Sequence, residues 1–350
     1  MDDLIVVRPE GLYCPPGDFH IDPWRPVEHA IVTHAHADHA RMGSRHYIAA
    51  QQSAPVLRAR LGDIDVATLA YGERIARHGV SVSLHPAGHV LGSAQVRIEH
   101  RGRTWVVSGD YKLAADPTCT PFEPVRADVF VTESTFGLPI YRWQDATRVV
   151  GDIAQWWRSN AEAGRTSIVY AYAFGKAQRI AAELQAARAL DIGPLACHGT
   201  VVTVNDAYRA AGVDLPPLMH ATELDASLRP RALVLAPPSA SGTPWLRRFG
   251  DFSDAFASGW MQVRGARRRR ALDRGFALSD HADWPGLGAA IAASGATRIV
   301  VTHGQVSTMV RWLAERGLDA QAFETQFADE GEPEAEATGT PEQVPDAGRA

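Results

Sequence analysis

The sequence predicts a mixed α/β protein, on three observations. The first 135 residues alternate short β-branched or apolar runs with turn signals, the pattern of strand-rich structure. From about 144 onward, stretches rich in Ala, Glu, Gln, Leu and Arg alternate with short strand-like runs. Over 350 residues, 45% hydrophobic and 21% charged, the chain can bury a core for one large domain or two smaller ones. In chain order, strands are expected at Ala30–Thr33, Val80–His85, Ala94–Glu99, Thr104–Ser108 and Val129–Thr132. A helix follows at Gln144–Ala163, a strand at Ser167–Ala171 and a strong helix at Phe174–Ala189. Strand and helix signals alternate through 194–262, with Leu233–Ala236 the clearest strand. Near the end come a helix at Trp284–Ser294, a strand at Arg298–Thr302 and a helix at Ser307–Arg316.

Charge divides the chain. The formal net charge is −5, but residues 328–350 alone carry −6 and, lacking any apolar period, read as a disordered acidic tail. Residues 140–275 carry +6, while 1–139 and 276–327 are acidic; a basic middle suggests a polyanion surface. Lysine is nearly absent, occurring only at Lys112 and Lys176. No apolar run reaches the ~18 residues that span a bilayer. Met1-Asp2-Asp3 is acidic where a secretory signal is basic, so a cytoplasmic location is expected. Cys14, Cys119 and Cys197 are odd in number and far apart, which argues against a disulfide scaffold.

The densest chemistry lies in Thr33-His34-Ala35-His36-Ala37-Asp38-His39, directly after the apolar run Ala30-Ile31-Val32. Three imidazoles and a carboxylate within six residues suit borderline divalent ions such as zinc or manganese, and exceed what one ion conveniently takes. Further candidates end predicted strands. His89 sits in the glycine-flanked loop Pro86–Ser93, Asp110 follows Ser108-Gly109, Glu133 follows Val129–Thr132, and His303 follows Ile299–Thr302. Polar residues at the carboxyl ends of strands can converge on one sheet edge. Any one of them alone reads as an ordinary loop residue; together with the six-residue motif they read as a metal site.

This set resembles the metallo-β-lactamase superfamily in its β-CASP nucleic-acid-processing branch, from about residue 10 to 327. Asp22, in Phe19-His20-Ile21-Asp22, resembles the first motif's aspartate, which orients ligands, with Asp18 the other candidate. His34, His36, Asp38 and His39 match the second motif, His89 the third and Asp110 the fourth. Glu133, in Glu133-Ser134-Thr135-Phe136-Gly137, matches the acidic motif opening the β-CASP part; His281, in Ser279–Asp283, and His303, in Thr302-His303-Gly304, match its later histidines. Phe174-Gly175-Lys176-Ala177-Gln178 resembles the branch's internal helix start. The resemblance implies an αββα sandwich whose first part is 1–139 and second part 266–327, with a β-CASP insert over 140–265. It implies two divalent ions, zinc or manganese: one on His34, His36 and His89, the other on Asp38, His39 and His303, with Asp110 bridging. It makes Asp38, Asp110, Glu133 and His281 catalytic, His281 as the proton donor to the departing oxygen.

Compact length, the short insert and Ser258-Gly259-Trp260-Met261 make the chain most similar to bacterial ligase-associated DNA exonucleases of this branch. That implies phosphodiester hydrolysis in DNA repair, DNA favoured over RNA, and a ligase or helicase partner. His303 pulls the other way, since histidine there is typical of RNA-processing members. A small-molecule metallo-hydrolase shares the first four motifs, but Glu133, His281 and the basic insert argue against it. Two phosphate-binding features have equally plain alternatives. Arg264, Arg267 and Arg268, with Arg269, Arg270 and Arg274, form either a phosphate grip or a solvated arginine turn. Ser239, Ser241 and Thr243 form either a phosphate cradle or a Ser/Gly turn. Lys176 is a further candidate phosphate contact. Trp24, Trp245 and Trp260 are core residues or base-stacking surfaces.

Overall fold

A computed structural model describes residues 3–263 and 272–323. Six short strands build the first sheet in sequence order: β1 (Val6–Arg8), β2 (Gly11–Cys14), β3 (Phe19–Ile21), β4 (His29–Ile31), β5 (His46–Ala50) and β6 (Val66–Leu69), with helix α1 (Ala54–Leu61) between the last two. The second sheet opens as an antiparallel run, β7 (Arg74–Arg77), β8 (Val80–Pro86), β9 (Ala94–His100) and β10 (Arg103–Val107). Strand β11 (Val129–Ser134) then adds in parallel to β10.

After helix α2 (Ala146–Glu162) the chain makes a third sheet. Its parts are β12 (Thr166–Tyr170), α3 (Lys176–Ala186), β13 (Leu195–Cys197), α4 (Gly199–Ala210), β14 (Met219–His220), β15 (Leu233–Ala236), β16 (Phe252–Ala257) and β17 (Arg274–Phe276). Every pairing in it is parallel, in the order β14-β13-β15-β12-β16-β17. Its last strand lies past residue 265, where the sequence places the end of the insert. The chain then runs through α5 (Trp284–Ser294), β18 (Arg298–Gly304), α6 (Val306–Ala314) and β19 (Asp319–Ala322). The last two strands complete the second sheet, β19-β18-β11-β10-β9-β8-β7.

Side-chain alternation turns the first two sheets into a four-layer sandwich. Along β10 and β11, Trp105, Val107, Val129 and Val131 point to a core shared with Ile21, Ile31 and Leu12 of the first sheet. Val106 and Phe130 point the other way, onto Leu287 and Ile291 of α5 and Met309 and Leu313 of α6. On the far side, Ala30, Tyr47 and Ala49 pack under α1 and under Val204, Ala207 and Tyr208 of α4. Successive side chains of a strand point to opposite faces, and here both faces are covered. In the third sheet, too, β12 and β15 are buried on both faces, as parallel strands usually are. Trp156 and Trp157 of α2 cover one face beside Val169 and Leu235, at the close of a helix whose Asp145 cap accepts from the Thr147 backbone.

Strands β8–β12, β15 and β18, and helices α2, α5 and α6, fall within two residues of their expected bounds. Helix α4 is the instructive departure. Thr200, Val201, Val202, Thr203 and Val204 favour strand, yet they are helical because His198 caps the first turn and Val201, Val204 and Tyr208 are buried by the neighbouring layers. Among the described residues, no helix is long and apolar enough to cross a membrane.

Candidate metal centre and active site

The site assembles where β4, β10, β11 and β18 end, with loops from two other places. Residues 33–39 leave β4, His89 sits in the turn between β8 and β9, and Asp110 follows β10 by three residues. Glu133 is the penultimate residue of β11, His303 of β18, and His281 precedes α5. Tight backbone makes this convergence possible. Gly109 has φ +57°, and a Cβ there would meet the Thr33 Cβ and Oγ1 at 2.7 Å. Gly88 has φ +72° and faces the Lys112 carbonyl, 2.3 Å from where a Cβ would stand. The Gly109→Ala protein is therefore expected to lose ~1–3 kcal/mol of stability and to take up metal more weakly. Thermal unfolding and metal titration check this, and unchanged values in both would refute it.

Two His/Asp groups share one carboxylate. His34, His36, His89 and Asp110 bring ligand atoms within 4.8 Å of one another, and so do His39, Asp110 and His303. The His36 Nδ1 lies 3.0 Å from both His34 Nε2 and His89 Nε2. Asp110 reaches His303 Nε2 at 2.9 Å with Oδ1, and with Oδ2 it lies 3.4 Å from His39 and 3.5 Å from His34. Asp38 is half exposed and belongs to neither group, although its Oδ2 is 3.5 Å from His39 Nε2. A third group joins Asp110, Glu133 and His281.

Each ring is turned by a fixed partner on its other nitrogen. Asp22, in the left-handed region at φ 45°, accepts from the Thr33 backbone at 2.7 Å and from its hydroxyl at 2.5 Å, and its Oδ2 takes His39 Nδ1–H at 2.7 Å. His89 Nδ1 donates to the Asp280 carbonyl at 2.8 Å, and His36 Nε2 to the Phe174 carbonyl at 3.3 Å. Thr302 Oγ1 lies 2.9 Å from His303 Nδ1. Such partners set the tautomer of a ligating histidine and present the bare nitrogen to an ion. On the acid side, His281 Nδ1 donates to Glu133 Oε2 at 3.0 Å, while Glu133 Oε1 accepts from the Tyr111 backbone at 2.8 Å.

The electrostatics favour cation binding. Burial pushes His34 and His89 well below the usual imidazole range, helped by neighbouring rings, and takes His36 down to about 4. These rings are neutral at pH 7, the form that ligates. Burial would raise Asp110, but His39, His281 and His303 hold it well below the usual carboxylate range, so it is ionised. For His281 burial opposes the charged form; Glu133 and then Asp110 outweigh it and raise the ring to about 9. His39 and His303 are instead raised toward the imidazolium form against burial, by Asp110, and ligate on giving up that proton. The gathered nitrogen and carboxylate donors fit borderline divalent ions.

The remaining expectations fare unevenly. Lys176 is not a surface phosphate contact: its side chain is 3% exposed and its ammonium is 2.7 Å from Asp280 Oδ2. An ammonium drawn into the protein by a carboxylate cannot also face a strand of phosphates. Ser239 and Ser241 are exposed on the turn after β15, and Thr243 is half-buried with its hydroxyl on the Ala240 carbonyl. Ser241 also lines a cavity with Tyr170, Pro238, Phe256 and Leu272. Arg264, Arg267 and Arg268, like the acidic tail, lie outside the described residues. Trp24 donates to the Pro9 carbonyl, Trp245 packs on His198, and Trp260 packs on Phe136. Sequence reasoning missed Trp143, whose indole donates to the His281 carbonyl at 2.9 Å, and Arg179, buried beside Asp280. For Arg179 the available signal was its place one turn beyond Lys176.

Layers and site together define a candidate metal centre. No protein-family model matches the chain. Its sequence is similar to a probable DNA ligase of Opitutus terrae, 29% identical over 316 residues, which are 89% of this chain and 30% of that protein. It is also similar to the endoribonuclease YSH1 of Yarrowia lipolytica, 30% identical over 119 residues, 33% of this chain and 14% of that one. The chain thus spans less than a third of these relatives. In fold it is similar to a protein of unknown function from Enterococcus faecalis, with TM-score 0.56 and 12% identity over 86% of this chain and 80% of the other.

Proposed function

We propose that the protein is a metal-dependent nuclease of the metallo-β-lactamase superfamily, β-CASP branch, that hydrolyses phosphodiester bonds of DNA from an end. The carrying observation is Asp110 shared between two His/Asp groups, with the Glu133–His281 pair against it. His34, His36 and His89 would hold one divalent ion and Asp38, His39 and His303 a second, Asp110 serving both. Bound there, zinc or manganese supplies positive charge to the phosphoryl oxygens and lowers the pKa of water. The chain's own residues do the rest. Asp22 keeps His39 turned into the site. Glu133 holds the Nδ1–H of His281, leaving Nε2 to give a proton to the departing oxygen, the general-acid role suited to imidazole.

DNA is favoured because the similarity to the protein named a probable DNA ligase runs along 89% of the chain. The same similarity supports a role beside a ligase in repair. The second reading, an RNA-processing nuclease, rests on His303 and on similarity to an endoribonuclease over 33% of the chain. The deciding experiment offers purified protein, with Mn²⁺ or Zn²⁺, matched single-stranded DNA and RNA labelled at either end. Stepwise loss from one DNA end is the expected result and gives the polarity. Preferential RNA cutting would replace the DNA reading, and cleavage of neither, with metal bound, would restore the small-molecule hydrolase.

A further inference from the structure

Asp280 is the centre of a buried ionic cluster. It is 5% exposed, with Lys176 Nζ 2.7 Å from Oδ2, Arg179 Nη1 3.2 Å from Oδ1 and Lys112 Nζ 4.0 Å from Oδ1. Lys112 also pairs with Asp116 at 2.6 Å and Arg179 with Glu183 at 2.7 Å. Three cations thus meet three carboxylates, a balance a buried network needs. Of the chain's 35 basic residues only two are lysines, and both are in this cluster.

The cluster touches the reacting groups through the backbone. The Asp280 carbonyl fixes His89 Nδ1–H, and the next residue is His281. Arg179 Nη1 donates to the Ser279 carbonyl at 2.6 Å, and Ser279 Oγ accepts from the His281 backbone at 3.0 Å. Gly175 begins α3 at φ +92°, where a Cβ would stand 2.5 Å from Val90 Cγ1, so the helix start sits hard against the His89 loop. The Phe174 carbonyl just before it faces His36 Nε2. One short segment of the third-sheet unit, 174–179, therefore reaches three histidines of the site.

We infer that Lys176 and Arg179 are positioning residues: by clamping Asp280 they hold His89 and His281 in register with the metal centre. The inference rests on the nuclease reading for the role of His281. Its test compares Lys176→Met and Arg179→Lys with the unaltered full-length chain, using metal titration and two phosphodiesters at saturating metal. One is a DNA oligonucleotide, whose leaving alkoxide needs a proton; the other is a 4-nitrophenyl ester, whose leaving group does not. The variants are expected to bind Mn²⁺ more weakly and to lose on the order of 10- to 100-fold in kcat on the oligonucleotide, with much less loss on the ester. Unchanged metal affinity together with equal losses on both esters would overturn the inference. Arg179→Lys keeps the cluster's charge balance, so it answers even where Lys176→Met fails to fold. An unaltered protein that cleaves neither ester would defeat the nuclease reading instead. The positioning role would then be judged on the metal titration, and wild-type affinity in both variants would end it.

Discussion

Replacing Asp110 by alanine is expected to remove metal binding and hydrolysis together, with a rate loss on the order of 10³-fold or more. Its carboxylate is the one group common to both His/Asp clusters, and the rings of His34, His39 and His303 all lie within 3.5 Å of its oxygens. Without it, imidazoles and the half-exposed Asp38 remain to attract the ions, and no anion spans the two positions. His39 and His303 are raised toward the imidazolium form against burial, His39 by Asp110 above all and His303 by its hydrogen bond to Asp110. Losing that carboxylate changes their protonation as well as the ligand count. Metal content after dialysis, measured beside hydrolysis and thermal unfolding, checks the expectation. A folded Asp110→Ala protein with full metal and near-normal rate would rule out the shared-carboxylate reading.

His281→Ala should separate what Asp110→Ala loses jointly: the rate on nucleic acid falls by ~10²–10⁴ while metal content is kept. The structural ground is the division of partners. His281 lies outside the two clusters that carry the other histidines, and its Nδ1 is committed to Glu133, itself 1% exposed and tied to the Tyr111 backbone. Trp143 donates to the His281 carbonyl and the Ser279 hydroxyl accepts from the His281 backbone N–H, so truncating the ring leaves the backbone supported. Complete metal loss in His281→Ala would overturn the proton-donor role and make the residue a ligand.

Much of this was legible in the residues. In the second sheet β8 and β9 alternate apolar with polar residues, while β11 and β18 carry short apolar runs because the shared core covers one face and helices the other. The central helices carry dense Ala, Leu and Glu content. The motif 33–39 announced itself because ligands so close in sequence must lie close in space. His89, Asp110, Glu133 and His303 were legible through their positions at strand ends. Helix α4 was not, because its Thr–Val run favours strand until two packed layers bury one side of it. The role of Lys176 was misread for a related reason: a charge beside a glycine and a helix start looks solvated in sequence, and only the fold brings Asp280 to it from more than a hundred residues away.

By itself, then, the amino-acid order determined much of the alternation of strands and helices and which side chains are suited to ligate a metal, since both depend on residue type and short spacing. Tertiary structure alone decided which tautomer each histidine presents. It also decided that Asp110 serves both clusters and that the third-sheet unit grips the loop before His281. Those outcomes depend on hydrogen bonds and ion pairs between distant segments, and burial makes them strong by excluding the water that would otherwise compete.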